Sequence, residues 1–261
     1  MKIPTLKLRS NYLIPSLGLG TWELLGKECE EVVKLALKIG YRHIDTAEMY
    51  KNEKEIGRAI KIFPRSEIFI TSKVLGSNLK YNDVIKACES SLKRLDTSYL
   101  DLYLIHWPNP EIPLEETFKA MKFLHEEEKI RSFGVSNFDL PLLEKALEIE
   151  EIPICVNQVE FNPYVYQKEL LEFCKKHGII LVAYSPLAKG AVNKDERIRE
   201  IAEKYGKTPA QISLRWVIQK GAIPIPKASC EKHLKENIKI FDWKISKKDE
   251  REIDLISAYL P

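Results

Sequence analysis

Four polar residues, Asp45, Tyr50, Lys73 and His106, stand where a parallel α/β protein keeps its chemistry. Asp45, Lys73 and His106 fall at or just past the downstream ends of the apolar runs 41–45 (YRHID), 68–73 (IFITSK) and 100–106 (LDLYLIH). Tyr50 follows Asp45 by five residues, in the turn before the next helix. In parallel sheets the downstream strand ends open onto one face, and ligands bind there. A phenol with a pKa near ~10 keeps its proton at neutral pH and releases it reluctantly. An ammonium at Lys73 stabilises the phenolate and is expected to lower that pKa. Asp45 would hold Lys73 charged and in place, and His106 could donate to a substrate oxygen or orient it. The set suits protonation of an oxygen that becomes an alkoxide, as in carbonyl reduction. Positioned acid catalysis of this kind contributes about 10²–10⁴-fold.

Taken singly, each residue also has a structural reading: a strand-end tyrosine, a Lys–Asp salt bridge, a core histidine before Trp107 and Pro108. Four such residues on one predicted rim make the joint structural reading improbable. His43 shares a strand face with Asp45 but lies two residues deeper, so it reads as structural. His125 reads as a solvated helix residue, and His177 before Gly178 as a helix C-terminal charge.

The elements that must position these residues alternate along the chain. The runs 18–22, 42–45, 68–72, 99–105, 132–136, 156–160, 179–184 and 222–226 read as strands. Helical patterns separate them. Val32, Leu35, Ala36 and Ile39 form one stripe ending at Gly40. Asn52 and Glu55 have capping-box spacing. Asp139 with Pro141, and Thr208 with Pro209 and Gln211, mark helix starts. An extra helix is expected over 198–205. About eight βα units close a TIM barrel. A hairpin over 2–8 and the stretch near Ile14, turning at Ser10-Asn11, would close the barrel's N-terminal end. The expected architecture is an α/β, (β/α)8 TIM barrel with an N-terminal β-hairpin and two extra helices. No linker or composition shift interrupts residues 1–261, so one domain is expected.

Bulk properties narrow the function. A net charge of +3 over 261 residues implies no nucleic-acid partner. No apolar run reaches membrane-spanning length. The N-terminal segment lacks a signal-peptide core. The five cysteines show no CxxC pair, which points to reduced thiols in the cytoplasm. Cysteine and histidine spacings match no zinc pattern, so no metal is expected. Gly18-x-Gly20 lacks the third glycine of a dinucleotide fingerprint, because Glu23 holds that place. Any nucleotide must therefore be held by later loops.

The chain resembles the aldo-keto reductase family over nearly its full length. The matching stretches are GLGTW (18–22), DTAEMY (45–50), ITSK (70–73), DLYLIHWP (101–108), GVSN (134–137), NQVEFNP (157–163), AYSPL (183–187) and IPK (225–227). The resemblance implies a TIM barrel that reduces aldehydes and ketones with NAD(P)H. Hydride would come from nicotinamide C4 and a proton from Tyr50, with Asp45, Lys73 and His106 completing a catalytic tetrad. It places Gly20, Thr21 and Trp22 at the cofactor, Ser136, Asn137 and Gln158 on the nicotinamide carboxamide, and Tyr184 stacked on the ring. Ser185 and Leu187 would line the pyrophosphate path. Ile225 and Lys227, with Ser229, His233, Glu236 and Asn237, would surround the adenosine end. Trp22, Tyr50, Leu75, His106 and Trp107 would meet the substrate, Leu75 standing where many relatives carry an aromatic. The loop after His106 is short and the chain ends soon after its final helix, so an open pocket accepting several aldehydes is expected.

The family often has Ser and Arg where this chain has Ala228 and His233. Neutral His grips a phosphate dianion less well than Arg. NADP(H) is the first expectation, through Lys227, and NAD(H) the second. A monomer is expected, with a dimer as the alternative. Two other functions stand beside reduction. One is a Schiff-base lyase or aldolase using Lys73, which Asp45 opposes by keeping the amine protonated. The other is a non-catalytic binding protein on the same fold.

Overall fold

The structure, a computed structural model, describes residues 3–149 and 152–259. Lys2, at the start of the expected hairpin, and Leu260 and Pro261 lie outside the described residues. Strands β1 (Thr5–Lys7) and β2 (Leu13–Pro15) form the antiparallel hairpin. Its turn passes through Asn11 in the left-handed region, φ 71°. Leu8 and Ile14 are buried among the barrel's interior residues, so the hairpin does plug one end of the barrel.

The eight parallel strands are β3 (Leu19–Gly20), β4 (His43–Asp45), β5 (Phe69–Val74), β6 (Leu102–Ile105), β7 (Phe133–Ser136), β8 (Ile154–Glu160), β9 (Ile180–Tyr184) and β10 (Ile223–Pro224). They pair in sequence order, and the seam between the last and first is closed by Gly18 N–H to Pro224 O and Gly20 N–H to Pro226 O, both 3.1 Å. Pro224 and Pro226 have no N–H to return, so this ladder is one-sided and β10 is shorter than expected. Gly20 permits the closure: a Cβ there would lie 2.5 Å from Ile225 O.

Helices α1 (Gly26–Ile39), α2 (Glu53–Ile60), α3 (Tyr81–Leu95), α4 (Leu114–Glu126), α5 (Leu140–Glu148) and α6 (Lys168–Lys176) follow strands β3 to β8 in turn. After β9 come α7 (Glu196–Tyr205) and α8 (Pro209–Gln219), and after β10 come α9 (Glu231–Ile238) and α10 (Lys247–Asp254). The chain is therefore an eight-stranded barrel with α7 and α10 as its two additional helices. Outward residues such as Tyr103 and Ile105 pack with the helices, while Leu102 and Leu104 fill the interior. The expected helix start at Thr208 forms, closed by a capping box with Gln211, and Asp139 caps α5 by accepting from Leu142 N–H. Asn52 does not cap α2 with its side chain. That amide is buried and spent on tertiary contacts, described below.

Strand alternation carries the interior to the rim. Side chains at i and i+2 share a face. His43 meets Thr71 inside the barrel, Nε2 to Oγ1 2.9 Å, and Asp45 and Lys73 follow them by two residues. A Cβ on Gly134 would come within 2.7 Å of Leu104 and 2.8 Å of Val156 O, so only glycine fits that layer. Two residues past these three stand His106, Ser136 and Gln158. His43 is thus structural, as expected. His125 is half-buried rather than freely solvated, with Nδ1 3.1 Å from Ile130 O, beyond the end of α4. His177 ends α6 with Nδ1 2.9 Å from Phe173 O.

Candidate active site

At the downstream rim, Lys73 Nζ donates to Asp45 Oδ1 at 2.6 Å, to Thr46 O at 2.8 Å and to Tyr50 Oη at 3.4 Å. The Lys73 side chain is fully buried and reaches the site through the Tyr50 oxygen. Tyr50 lies edge-on to His106, ring centroids 5.6 Å apart, and to Trp22 on its other side at 4.8 Å. Thus Asp45, Tyr50, Lys73 and His106 come together from β4, the turn after it, β5 and the end of β6.

The loops carrying these residues are tied to one another. Asn52 accepts from the Thr46 hydroxyl at 2.6 Å and donates to Thr21 O and Leu24 O at 2.9 and 3.0 Å. Thr21 donates its hydroxyl to Asp45 O at 2.9 Å. Glu48 accepts from the backbone N–H of Leu75 and from Asn78 Nδ2. The turn that holds Tyr50 is therefore joined to the β3 loop on one side and the β5 loop on the other.

Burial pushes Lys73 down, but Asp45 and then Tyr50 outweigh it and hold the ammonium above its ordinary pKa. Burial pushes Asp45 up, and Lys73 and Gln158 pull it back only in part. At 2.6 Å the two groups share one buried ion pair, and the raised Lys73 is the direction that governs the site. Burial also raises Tyr50, and Lys73 opposes this without reversing it. This corrects the expectation of a phenol more acidic than usual: the ammonium pulls in the expected direction, but desolvation of the phenolate is larger. His106 is pushed down to about 3, by burial first and Lys73 second, and so is neutral at physiological pH.

A cavity of about 700 Å³ opens from these residues. Its walls include Trp22, Met49, Tyr50, His106 and Trp107, and also Glu23, Lys189, Gly190 and Lys227. Ser136, Asn137, Gln158 and Tyr184 line it as well, with Gly20, Thr21, Ser185, Leu187 and Ile225. The polar groups form one network. Gln158 Nε2 donates to Asp45 Oδ2 at 2.7 Å, Ser136 Oγ to Gln158 O at 2.8 Å, and Tyr184 Oη to Asn137 Oδ1 at 2.9 Å. Asn137 Nδ2 donates to His106 O at 3.0 Å. Gln158 Oε1 has no protein partner among the described residues. Glu23, Asn137, Ser185 and Lys189 all line the cavity in left-handed backbone conformations, which non-glycine residues hold only where surrounding structure enforces them.

Not every expected site residue reaches this cavity. Leu75 is absent from its walls; its backbone N–H serves Glu48 instead. Ser229 and His233 are exposed, Glu236 is half-buried and Asn237 buried, all beyond Lys227 at or within α9 and outside the cavity lining. Conversely, Met49, Lys189 and Gly190 line it without having been singled out in the sequence, and Glu23, read there only as the residue that breaks the glycine fingerprint, lines it too. The Lys189-Gly190 pair just past the AYSPL stretch was the available signal. Among the described residues no group of three or more His, Cys, Asp or Glu could hold a metal ion, and no helix is long and apolar enough to cross a membrane.

A parallel barrel carrying a buried Lys–Asp pair against a tyrosine and a histidine is built to protonate an oxygen at the rim, as a carbonyl-reducing barrel oxidoreductase requires. The comparisons agree. A model of the aldo/keto reductase family matches residues 16–258. The glyoxal reductase of Bacillus subtilis (strain 168) is 45% identical over 256 residues, 97% of this chain and 92% of the relative. The methylglyoxal reductase DkgA of Yersinia pestis is 40% identical over 251 residues, 94% and 90% of the two chains. An aldo-keto reductase of Bombyx mori, solved in complex with NADP, superposes with a TM-score of 0.92 at 32% identity, covering 98% and 93%. The chain belongs to the aldo/keto reductase family. It is a carbonyl-reducing enzyme that works with a nicotinamide cofactor.

The cavity fits such a cofactor. A free amide oxygen on Gln158 suits a carboxamide, the half-buried ring of Tyr184 suits a flat heterocycle, and the lysines suit phosphates.

Proposed function

We propose that this chain reduces small aldehydes, foremost α-oxoaldehydes of the glyoxal and methylglyoxal type, with NADPH preferred and NADH as the alternative. When bound, the dihydronicotinamide supplies the hydride. Tyr50 donates the proton to the carbonyl oxygen. Lys73 stabilises the resulting phenolate, and Asp45 holds Lys73 charged and aimed. His106, neutral, orients the substrate oxygen beside Tyr50. Gln158, with Ser136 and Asn137, holds the carboxamide, Tyr184 stacks on the ring, and Lys227 with Lys189 faces the phosphates. Trp22, Met49 and Trp107, all exposed at the mouth, offer the apolar substrate wall.

The single observation carrying this reading is the Lys73 ammonium between Asp45 at 2.6 Å and the Tyr50 oxygen at 3.4 Å, buried behind these two residues, which line the cavity. The same contact tells against a Schiff-base lysine, because a fully buried, paired ammonium is not a nucleophile. A single domain over residues 1–261 belongs to the same proposal, its support being that the eight strands form one sheet in sequence order; so does a monomer, with a dimer the alternative. Cytoplasmic residence belongs to the same proposal; its support is that the five cysteines are unpaired thiols.

The test follows oxidation of NADPH and NADH with glyoxal, methylglyoxal and a panel of larger aldehydes and ketones. Aldehyde-dependent oxidation, faster with NADPH and stereospecific at the cofactor, is expected. Absence of turnover with every carbonyl, although NADPH quenches the tryptophan fluorescence, would turn the assignment toward a binding protein.

A further inference from the structure

The cationic end of the cavity already holds an anion of the protein's own. Lys227 Nζ lies 2.7 Å from Glu23 Oε2, and both residues line the cavity. Glu23 sits on the loop after β3 and Lys227 just past β10, so the pair spans the seam where the first and last strands meet. The backbone of Glu23 is left-handed, φ 65°, in the place a glycine would favour. Lys227 holds the Glu23 carboxyl below the usual range, and Lys189, from the loop after β9, adds a smaller pull in the same direction. The two lysines that face the phosphate end of the cavity thus face one glutamate.

A phosphate that takes Lys227 while Glu23 keeps it sets two anions side by side on one exposed ammonium, and their repulsion favours parting Glu23 from the lysine. The pair is also solvent-exposed, 43% at Lys227 and 64% at Glu23, so water and salt screen it and it can be parted. We propose that Glu23 is a built-in competitor for the cofactor's phosphate. It occupies Lys227 in the protein alone, repels an incoming phosphate there, and so sets both nucleotide affinity and the preference between NADPH and NADH. This rests on reading the cavity as the dinucleotide site. Glu23 touches no reacting atom; it is a specificity-determining residue that works through Lys227.

The test is a tryptophan-fluorescence titration of the full chain with NADPH, NADH and 2′,5′-ADP, on wild type, Glu23→Gln, Lys227→Gln and the double variant. Glu23→Gln should bind NADPH and 2′,5′-ADP about two- to fivefold tighter at low salt, the scale of releasing an exposed pair. NADH, without the 2′-phosphate, should gain less, and the difference should shrink at high salt. With Lys227 already replaced, removing Glu23 should gain much less, a non-additivity that marks coupling through Lys227. If Lys227→Gln weakens NADPH while Glu23→Gln changes nothing, the competitor role is overturned and the cavity reading stands. If NADPH fails to bind wild type, or Lys227→Gln leaves it unchanged, the placement of the phosphate is wrong and the competitor role falls with it.

Discussion

Glu48 accepts the backbone N–H of Leu75, which locks the turn ending in Tyr50 to the loop leaving β5, two residues past Lys73. The proton donor and its cationic neighbour come from different strand ends, and this bond fixes one against the other. Replacing Glu48 by Ala should let the Tyr50 turn drift from Lys73. Misplacement of about 1 Å can cost 10²-fold in rate, so kcat should fall by about 10- to 100-fold while NADPH affinity holds. Glu48→Gln keeps an acceptor oxygen and should recover most of kcat. Equal losses in both variants would show that charge at residue 48, rather than the bond to Leu75, is what matters.

Tyr50→Phe should keep the cofactor's Kd and lose about 10²–10⁴-fold in turnover, the range for removing a positioned acid. Because burial raises Tyr50 above its ordinary value, the alkaline fall of kcat should come above pH ~10. A descending limb centred near neutrality would show that another group supplies the proton.

Much of this site was legible because barrel chemistry is written in strand alternation. Asp45 and Lys73 each follow an interior residue of the same strand by two positions, and short apolar runs reveal such pairs without any tertiary information. The seam at Gly20 was legible as a strand but not as a close approach, because only the position of Ile225 O makes glycine necessary. Asn52 was misread for a related reason. Its spacing to Glu55 is that of a cap, yet its amide serves Thr46, Thr21 and Leu24, contacts that depend on where two other loops lie. Glu23, Met49, Lys189 and Gly190 are loop residues whose neighbours are remote in sequence, and periodicity carries no signal for them. The acidity of Tyr50 was misjudged because burial, which opposes Lys73, is a property of the packed rim and not of the residue pair.

Asp45→Asn should separate charge from shape. The amide can still pair with Gln158, but Lys73 is left as a buried ammonium without its anion. Breaking a buried pair by removing one partner typically costs about 3–5 kcal/mol, or else the lysine gives up its proton. Denaturant midpoints should therefore drop sharply at pH 7 and recover partly at higher pH, where a neutral Lys73 is cheaper to bury. The double variant Asp45→Asn with Lys73→Met should be more stable than Asp45→Asn alone. A single variant as stable as wild type at pH 7 would mean the pair carries no buried charge.

Acid should destabilise the fold through its two buried imidazoles. Burial, with a smaller push from Lys73, holds His43 and His106 at about 3, against an ordinary value of 6.5. A histidine depressed in the folded state contributes its full stability above 6.5 and loses it as pH falls, since the unfolded chain takes up protons the native one refuses. Between pH 7 and 5 each should cost about 2 kcal/mol, the slope approaching about 1.4 kcal/mol per pH unit per histidine. Ordinary carboxylates change little over that interval, so urea midpoints at the two pH values isolate the effect. His106→Gln should remove about half of the pH dependence while leaving the barrel folded, because the Nδ1 it replaces has no partner among the described residues. A wild-type midpoint unchanged from pH 7 to 5 would mean that both imidazoles protonate freely in the native state, and that neither is held neutral by its surroundings.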